Sequence, residues 1–101
     1  SRLALGVLKG NPFGDASPRF LKNMAHSLTQ ALNRSIRILT PLRQLNKIQV
    51  IRGANSLPLT FTFSCLNPKG RAPCGQCNKC AERKRGFKRA GVIDPTKYHH
   101  V

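Results

Sequence analysis

Acidic residues are nearly missing from this sequence of 101 residues: Asp15, Glu82 and Asp94 stand against 18 Lys and Arg, a formal charge of +15. Such an excess predicts attraction to polyanions or to a more acidic partner, and it dictates no fold. No apolar run approaches the ~20 residues that a membrane-spanning helix needs, and no secretory segment is visible. Initiator Met is also missing. The opening Ser1-Arg2-Leu3-Ala4-Leu5-Gly6-Val7 reads as though it starts inside a buried strand. The expectation is a fragment of a longer chain, with a natural terminus left by processing as the alternative. At 101 residues the chain forms one domain at most, near the size where a metal staple assists a modest core.

What is present orders itself along the chain. Residues 3–8 predict a strand and Lys9 to Ala16 a loop rich in turn residues. Ser17 is a good N-cap and Pro18 suits the first helical position. Phe20, Leu21, Met24, Leu28, Ala31 and Leu32 then recur at steps of three and four, predicting a core-facing helical stripe. Ile36 to Leu39 reads as a short strand stopped by Thr40-Pro41. Asn46 and Gln49 form a capping-box variant, with Leu45 and Val50 placed as a hydrophobic staple, so a second helix is expected from Lys47 to Ala54. Leu59, Phe61 and Phe63 alternate with Thr60, Thr62 and Ser64, the period of a half-buried third strand. A last helix is expected from near Cys77 to Gly91. This order is that of an α/β unit with a small parallel sheet, whose apolar first strand calls for more chain or a partner to cover it.

The four cysteines, Cys65, Cys74, Cys77 and Cys80, are spaced Cys-x8-Cys-x2-Cys-x2-Cys. Two-residue gaps let successive thiolates turn back toward one ion in tetrahedral geometry, which points to zinc. Four sulfurs fill the shell and leave no position for a water nucleophile, so the expected role is a staple. Iron–sulfur ligation also uses four Cys and stays open. Paired disulfides fit poorly, because no secretory segment accompanies them and Cys74, Cys77 and Cys80 lie too close together. The cations Lys69, Arg71, Lys79, Arg83, Lys84 and Arg85 offset the negative charge of four thiolates around a zinc ion.

Ser64-Cys65, Pro73-Cys74-Gly75-Gln76-Cys77-Asn78-Lys79-Cys80, Arg83, Gly86-Phe87, Ala90-Gly91 and Asp94-Pro95-Thr96 together resemble the C-terminal part of the 7-cyano-7-deazaguanine synthase family. That family is the zinc-containing branch of the PP-loop ATP pyrophosphatases. Asp15 to Phe20, Thr40-Pro41-Leu42 and Lys47 extend the resemblance upstream, in order, over nearly the whole chain. It implies the C-terminal portion of a PP-loop (adenine nucleotide alpha hydrolase-like) parallel-sheet domain over residues 1–64, followed by a zinc-binding loop, helix and tail over 65–101. It also implies a cytoplasmic enzyme that uses ATP to activate the carboxylate of 7-carboxy-7-deazaguanine and, with ammonia, converts it to the nitrile for queuosine-type nucleosides. In the family a Ser-Gly-Gly-x-Asp-Ser loop holds the ATP phosphates. No such string occurs here, so this chain by itself is expected to be inactive and to need an N-terminal PP-loop segment as partner. Phe63 and Leu66 stand where the family usually has Trp and Tyr, and the chain is more basic than its relatives, which opens a related base or acid as substrate. A homodimer is a further expectation.

Asp15, Lys47 and Arg83 are the candidate substrate-binding residues. Asp15 is placed to meet the edge of a purine-like base, or else it is a turn former ahead of Ser17. Lys47 sits at a helix start, where a cation needs an anion or solvent, and Arg19 and Lys22 share that placement. Arg83, on a metal-braced helix, is a rigid anion contact or a solvated cation. His26, His99 and His100 have no partner at ligand spacing and read as surface or tail residues. Phe87 falls beside Cys80 on a helical wheel and packs over the metal loop. A basic zinc-binding nucleic-acid module is the alternative function, resting on Arg83-Lys84-Arg85 with Lys88 and Arg89. The strand pattern claims Phe61 and Phe63, which counts against base stacking. A purely structural interaction domain is the third reading.

Overall fold

The computed structural model describes residues 1–100. It divides into two compact units, Ser1–Asn46 and Lys47–Val101. In the first, β1 (Arg2–Ala4), α1 (Pro18–Leu32) and β2 (Arg37–Leu39) follow one another, with a 3-10 turn at Gly14–Ala16. The two strands pair in parallel, Leu3 opposite Ile38. That geometry obliges the chain to cross over between them, and α1 is the crossover. Leu5 N–H donates to Leu39 C=O at 2.8 Å and Arg37 N–H to Ser1 C=O at 2.9 Å, prolonging the ladder by a step at each end.

Helix α1 begins as the sequence dictates: Ser17 Oγ accepts from Phe20 N–H at 3.1 Å and Pro18 follows. It ends on Asn33 in the left-handed region, φ 51°, a conformation Asn tolerates better than most side chains. The buried face is rotated from the expected stripe. Leu21 is buried, with Ala25, Leu28 and Thr29 half-buried, while Phe20, Met24, Ala31 and Leu32 are exposed. Thr29 decides the rotation: its Oγ accepts Ile36 N–H at 3.0 Å, fastening the helix to the start of β2. Strand β1 is shorter than expected and exposed throughout, since a two-stranded sheet has too little surface to bury both faces of a strand.

In the second unit α2 (Lys47–Gly53) packs on α3 (Asn78–Ala90). Gly86 makes this approach possible, because a Cβ there would lie 3.0 Å from Ile51 Cδ1. Helix α3 stops at Gly91, φ 70°, where Gly91 N–H donates to Lys88 C=O and Val92 N–H to Phe87 C=O, both at 3.2 Å. Arg52 Nε donates to Ala90 C=O at 3.0 Å, a cation at the negative end of the helix dipole. The third strand expected over Leu59 to Ser64 does not form. Leu59–Phe61 is a 3-10 turn and Phe61 is 85% exposed. Thr62 N–H (3.1 Å), Thr62 Oγ1–H (2.6 Å) and Arg83 Nη2–H (3.1 Å) all converge on Leu59 C=O. The carbonyl a sheet ladder would use is therefore taken, and among the described residues no strand is there to pair with it.

Candidate metal centre

The chain is bent around its cysteines by short local devices. Lys69 and Ala72 exchange backbone hydrogen bonds of 2.9 and 3.1 Å across Gly70, φ 62°, folding the eight-residue gap back on itself. Gly75, φ 77°, turns the next loop, and Cys77 caps α3 by accepting Cys80 N–H at 3.4 Å. The four Sγ atoms consequently lie within 4.8 Å of one another, with 3.9 Å between those of Cys65 and Cys77. All four thiols are free, so the disulfide alternative does not describe this site.

Two backbone N–H groups aim at each of three sulfurs. Asn67 and Cys74 donate to Cys65 (both 3.2 Å), Gln76 and Cys77 to Cys74 (3.4 and 3.3 Å), and Leu66 and Cys80 to Cys77 (3.5 and 3.4 Å). Such donors stabilise sulfur as thiolate. Those from Leu66 and Cys80 hold Cys77 down to about 6, and those from Gln76 and Cys77 lower Cys74. Burial acts the other way on Cys80, 1% exposed, and pushes its thiol up to about 12. The backbone thus favours the thiolate at Cys74 and Cys77, while Cys80, the most buried of the four, needs a cation beside it to ionise. An iron–sulfur cluster spreads its four cysteines over two or four irons and so separates the sulfurs, whereas these lie within 4.8 Å of one another. The donor set fits one thiophilic ion.

The last described residues brace the same loop. His99 N–H donates to Pro73 C=O at 2.8 Å, and Tyr98 Cβ lies 3.3 Å from where a Gly75 Cβ would be. Lys84 Nζ donates to Gly75 C=O at 2.8 Å and rests 4.6 Å from the Tyr98 ring centroid. Asp94 Oδ2 accepts the Tyr98 hydroxyl at 2.6 Å, and Oδ1 accepts Thr96 N–H at 2.9 Å.

A family model described as queuosine biosynthesis protein QueC matches residues 2–91, the stretch holding all four cysteines. The chain belongs to the QueC family. Relatives in that family carry the name 7-cyano-7-deazaguanine synthase. One from Methanococcus maripaludis strain C5 is 33% identical over 99 residues, covering 89% of this chain and 42% of its own length. One from Leptospira interrogans (serovar copenhageni) is 37% identical over 89 residues, 81% of this chain and 37% of the relative. One from Nitrosococcus oceani is 40% identical over 96 residues, 86% of this chain and 42% of the relative. The chain therefore spans about two fifths of the length of these synthases.

Of the residues singled out in this QueC-family sequence, the four cysteines are brought together. Asp15 lies exposed on the 3-10 turn of the first unit. Arg19 is exposed on the first turn of α1, and Lys22 lines a cavity of about 300 Å³ beside Ile36 and Arg43. His26 and His100 are exposed. Lys47 is 3.7 Å from Glu82, which Lys79 also meets at 3.2 Å. Arg83 is buried, and its guanidinium is occupied internally. Nε donates to Thr96 Oγ1 (2.7 Å), Nη1 to Ser64 Oγ (3.4 Å) and Nη2 to Leu59 C=O and Thr62 Oγ1 (3.1 and 2.9 Å), with the Phe87 ring centroid 5.5 Å away. The clasp of Asp94 and Tyr98 escaped the sequence reading. Its only signal was the Asp-Pro-Thr triplet, whose Asp side chain turns back on the N–H two residues on.

Two outcomes follow from this geometry. Arg83→Gln should lower stability to urea by about 1–3 kcal/mol, because several part-buried acceptors lose a charged donor, and Arg83→Lys should recover little, an ammonium being unable to span the fork. The clasp is pH-dependent. Burial alone would raise the Asp94 carboxyl, but the bonds from Thr96 and Tyr98 outweigh it and hold it below its ordinary 3.8. Its contribution should be complete above about pH 4 and lost as pH falls through that depressed value. Burial, then the bond to Asp94, push Tyr98 up to about 12 from 10.0, so its contribution persists below pH 10 and goes as pH rises through about 12. Tyr98 is the sole tyrosine, so tyrosinate absorbance reads it directly, and Asp94→Asn should bring the titration back toward 10.

Proposed function

We propose that the four cysteines bind one structural zinc ion and that this chain forms the zinc-braced portion of a 7-cyano-7-deazaguanine synthase. The match to QueC over residues 2–91 carries the second statement. The sulfur geometry supports the first: zinc–thiolate bonds of about 2.3 Å imply tetrahedral edges of about 3.8 Å, against 3.9 Å between Cys65 and Cys77. In this reading zinc, bound, supplies positive charge and no chemistry, since four sulfurs leave no open position. The reaction is the ATP-dependent conversion of 7-carboxy-7-deazaguanine and ammonia to the nitrile, on a PP-loop fold of which β1, α1 and β2 are part. Four reduced cysteines suit a cytoplasmic setting.

The 101 residues contain no Ser-Gly-Gly-x-Asp-Ser string. ATP is then held by a PP-loop segment outside them, and these residues are inactive alone. Purified protein should carry one equivalent of zinc by elemental analysis, and Cys80→Ser should lower it below about half an equivalent with loss of the α3 circular dichroism signal. The chain alone should release no pyrophosphate from ATP. Fused to the N-terminal portion of the Nitrosococcus oceani relative it should form nitrile from the carboxylate, and a soluble, zinc-loaded fusion that makes none would refute the synthase assignment.

A second reading, a nucleic-acid-binding module, is favoured by one observation. Arg85, Lys88 and Arg89 are exposed one turn apart on α3, while the acids of that unit, Glu82 and Asp94, are already engaged. If that surface binds RNA, retention should fall steeply with salt, and neutralising the three cations should abolish it. Indifference to RNA at physiological salt would remove this reading.

A further inference from the structure

Arg83 and Lys47 are both engaged within the chain, which leaves the question of where an anionic ligand is met. We infer that a cavity of about 320 Å³ in the second unit, bounded by Thr60, Phe63, Arg71, Pro73, Pro95 and Lys97, seats a planar heteroaromatic anion. This deepens the synthase reading and rests on it for the compound, 7-carboxy-7-deazaguanine being such an anion.

Four observations meet at this cavity. Its volume is at the small end for ligand sites and admits one fused-ring heterocycle, not a dinucleotide. Phe63, 54% exposed, and the rings of Pro73 and Pro95 supply flat apolar walls, against which a planar π system packs with little entropy loss. Arg71 and Lys97 line the same space, and neither has an acid or a hydrogen-bond acceptor among the described residues. A guanidinium and an ammonium left unmatched beside an aromatic wall select a ring that carries a carboxylate or phosphate. The walls are also pre-set. The Arg83 guanidinium bonds both Thr62 and Thr96, tying the segment that carries Phe63 to the one that carries Lys97. The His99 N–H holds Pro73, next to the Arg71 segment. Rigid support of this kind is what a specific site requires.

The test is calorimetry and amide NMR on the full zinc-loaded chain with three probes: 7-carboxy-7-deazaguanine, 7-deazaguanine lacking the carboxylate, and guanosine monophosphate. The carboxylate should bind about tenfold or more tightly than its uncharged parent, the difference a charged hydrogen bond makes, with amide shifts centred on residues 60–63, 71–73 and 95–97. Arg71→Ala with Lys97→Ala should erase that preference at unchanged zinc content. Phe63→Ala should weaken both 7-deazapurines, and Phe63→Trp should restore them. Guanosine monophosphate binding here by the same residues would also support the assignment, with phosphate as the anion. Shifts confined to the exposed face of α3, or binding of oligoribonucleotides only, would overturn it. In the active fusion, a KM for the carboxylate unmoved by Arg71→Ala and Lys97→Ala would reject the cavity while the synthase reading stood. Carboxylate bound at these residues by a fusion that makes no nitrile would uphold the cavity and reject the synthase reading.

Discussion

Gathering four cysteine sulfurs within 4.8 Å of one another is the constraint on which the second unit depends. Left alone, the sulfur charges would repel, so the backbone around them is arranged to present N–H groups inward, two to each of Cys65, Cys74 and Cys77. Each inward N–H is one that a helix or sheet cannot use. The loop from Cys65 to Cys77 accordingly has almost no regular structure, and α3 begins at the residue after its cysteine cap. The organisation is therefore set by where the sulfurs must be, with the helix following from it.

Arg83 is the second organising contact, and it shows how a charged side chain reads differently in one dimension and in three. On a helical wheel it belongs with Cys80 and Phe87, on the inner face. A cation on that face needs acceptors in fixed places, and a sequence does not reveal which distant oxygens will arrive. Here they are Leu59, Thr62, Ser64 and Thr96, so a residue suited to an external anion is satisfied internally. The same bonds remove the third strand, because they take the carbonyl and hydroxyls of the segment that would have formed it. Phe61 and Phe63, freed from a sheet, stay exposed, and the objection that a strand had claimed both rings falls away.

The scarcity of acids has a comparable consequence. Glu82 neutralises Lys47 and Lys79, and Asp94 accepts from Thr96 and Tyr98, so among the described residues of the second unit no side-chain carboxylate is left for the other cations. Arg71, Lys97 and the exposed end of α3 keep their charge for solutes and partners.

The sequence by itself determined what local chemistry controls. The cap at Ser17, the crossover helix between parallel strands, the span of α3 up to Gly91, the cysteine set and the family all follow from residue type and spacing, which act over a few neighbouring positions. Tertiary structure alone decided which face of α1 is buried, whether residues 59–64 extend or turn, that Arg83 binds inward, and which cations remain unmatched. The face of α1 turns on a partner seven residues away, and the bonds of Arg83 on partners 13 to 24 residues away. A part-buried hydrogen bond to such a partner outweighs the weak periodicity of a six-residue segment.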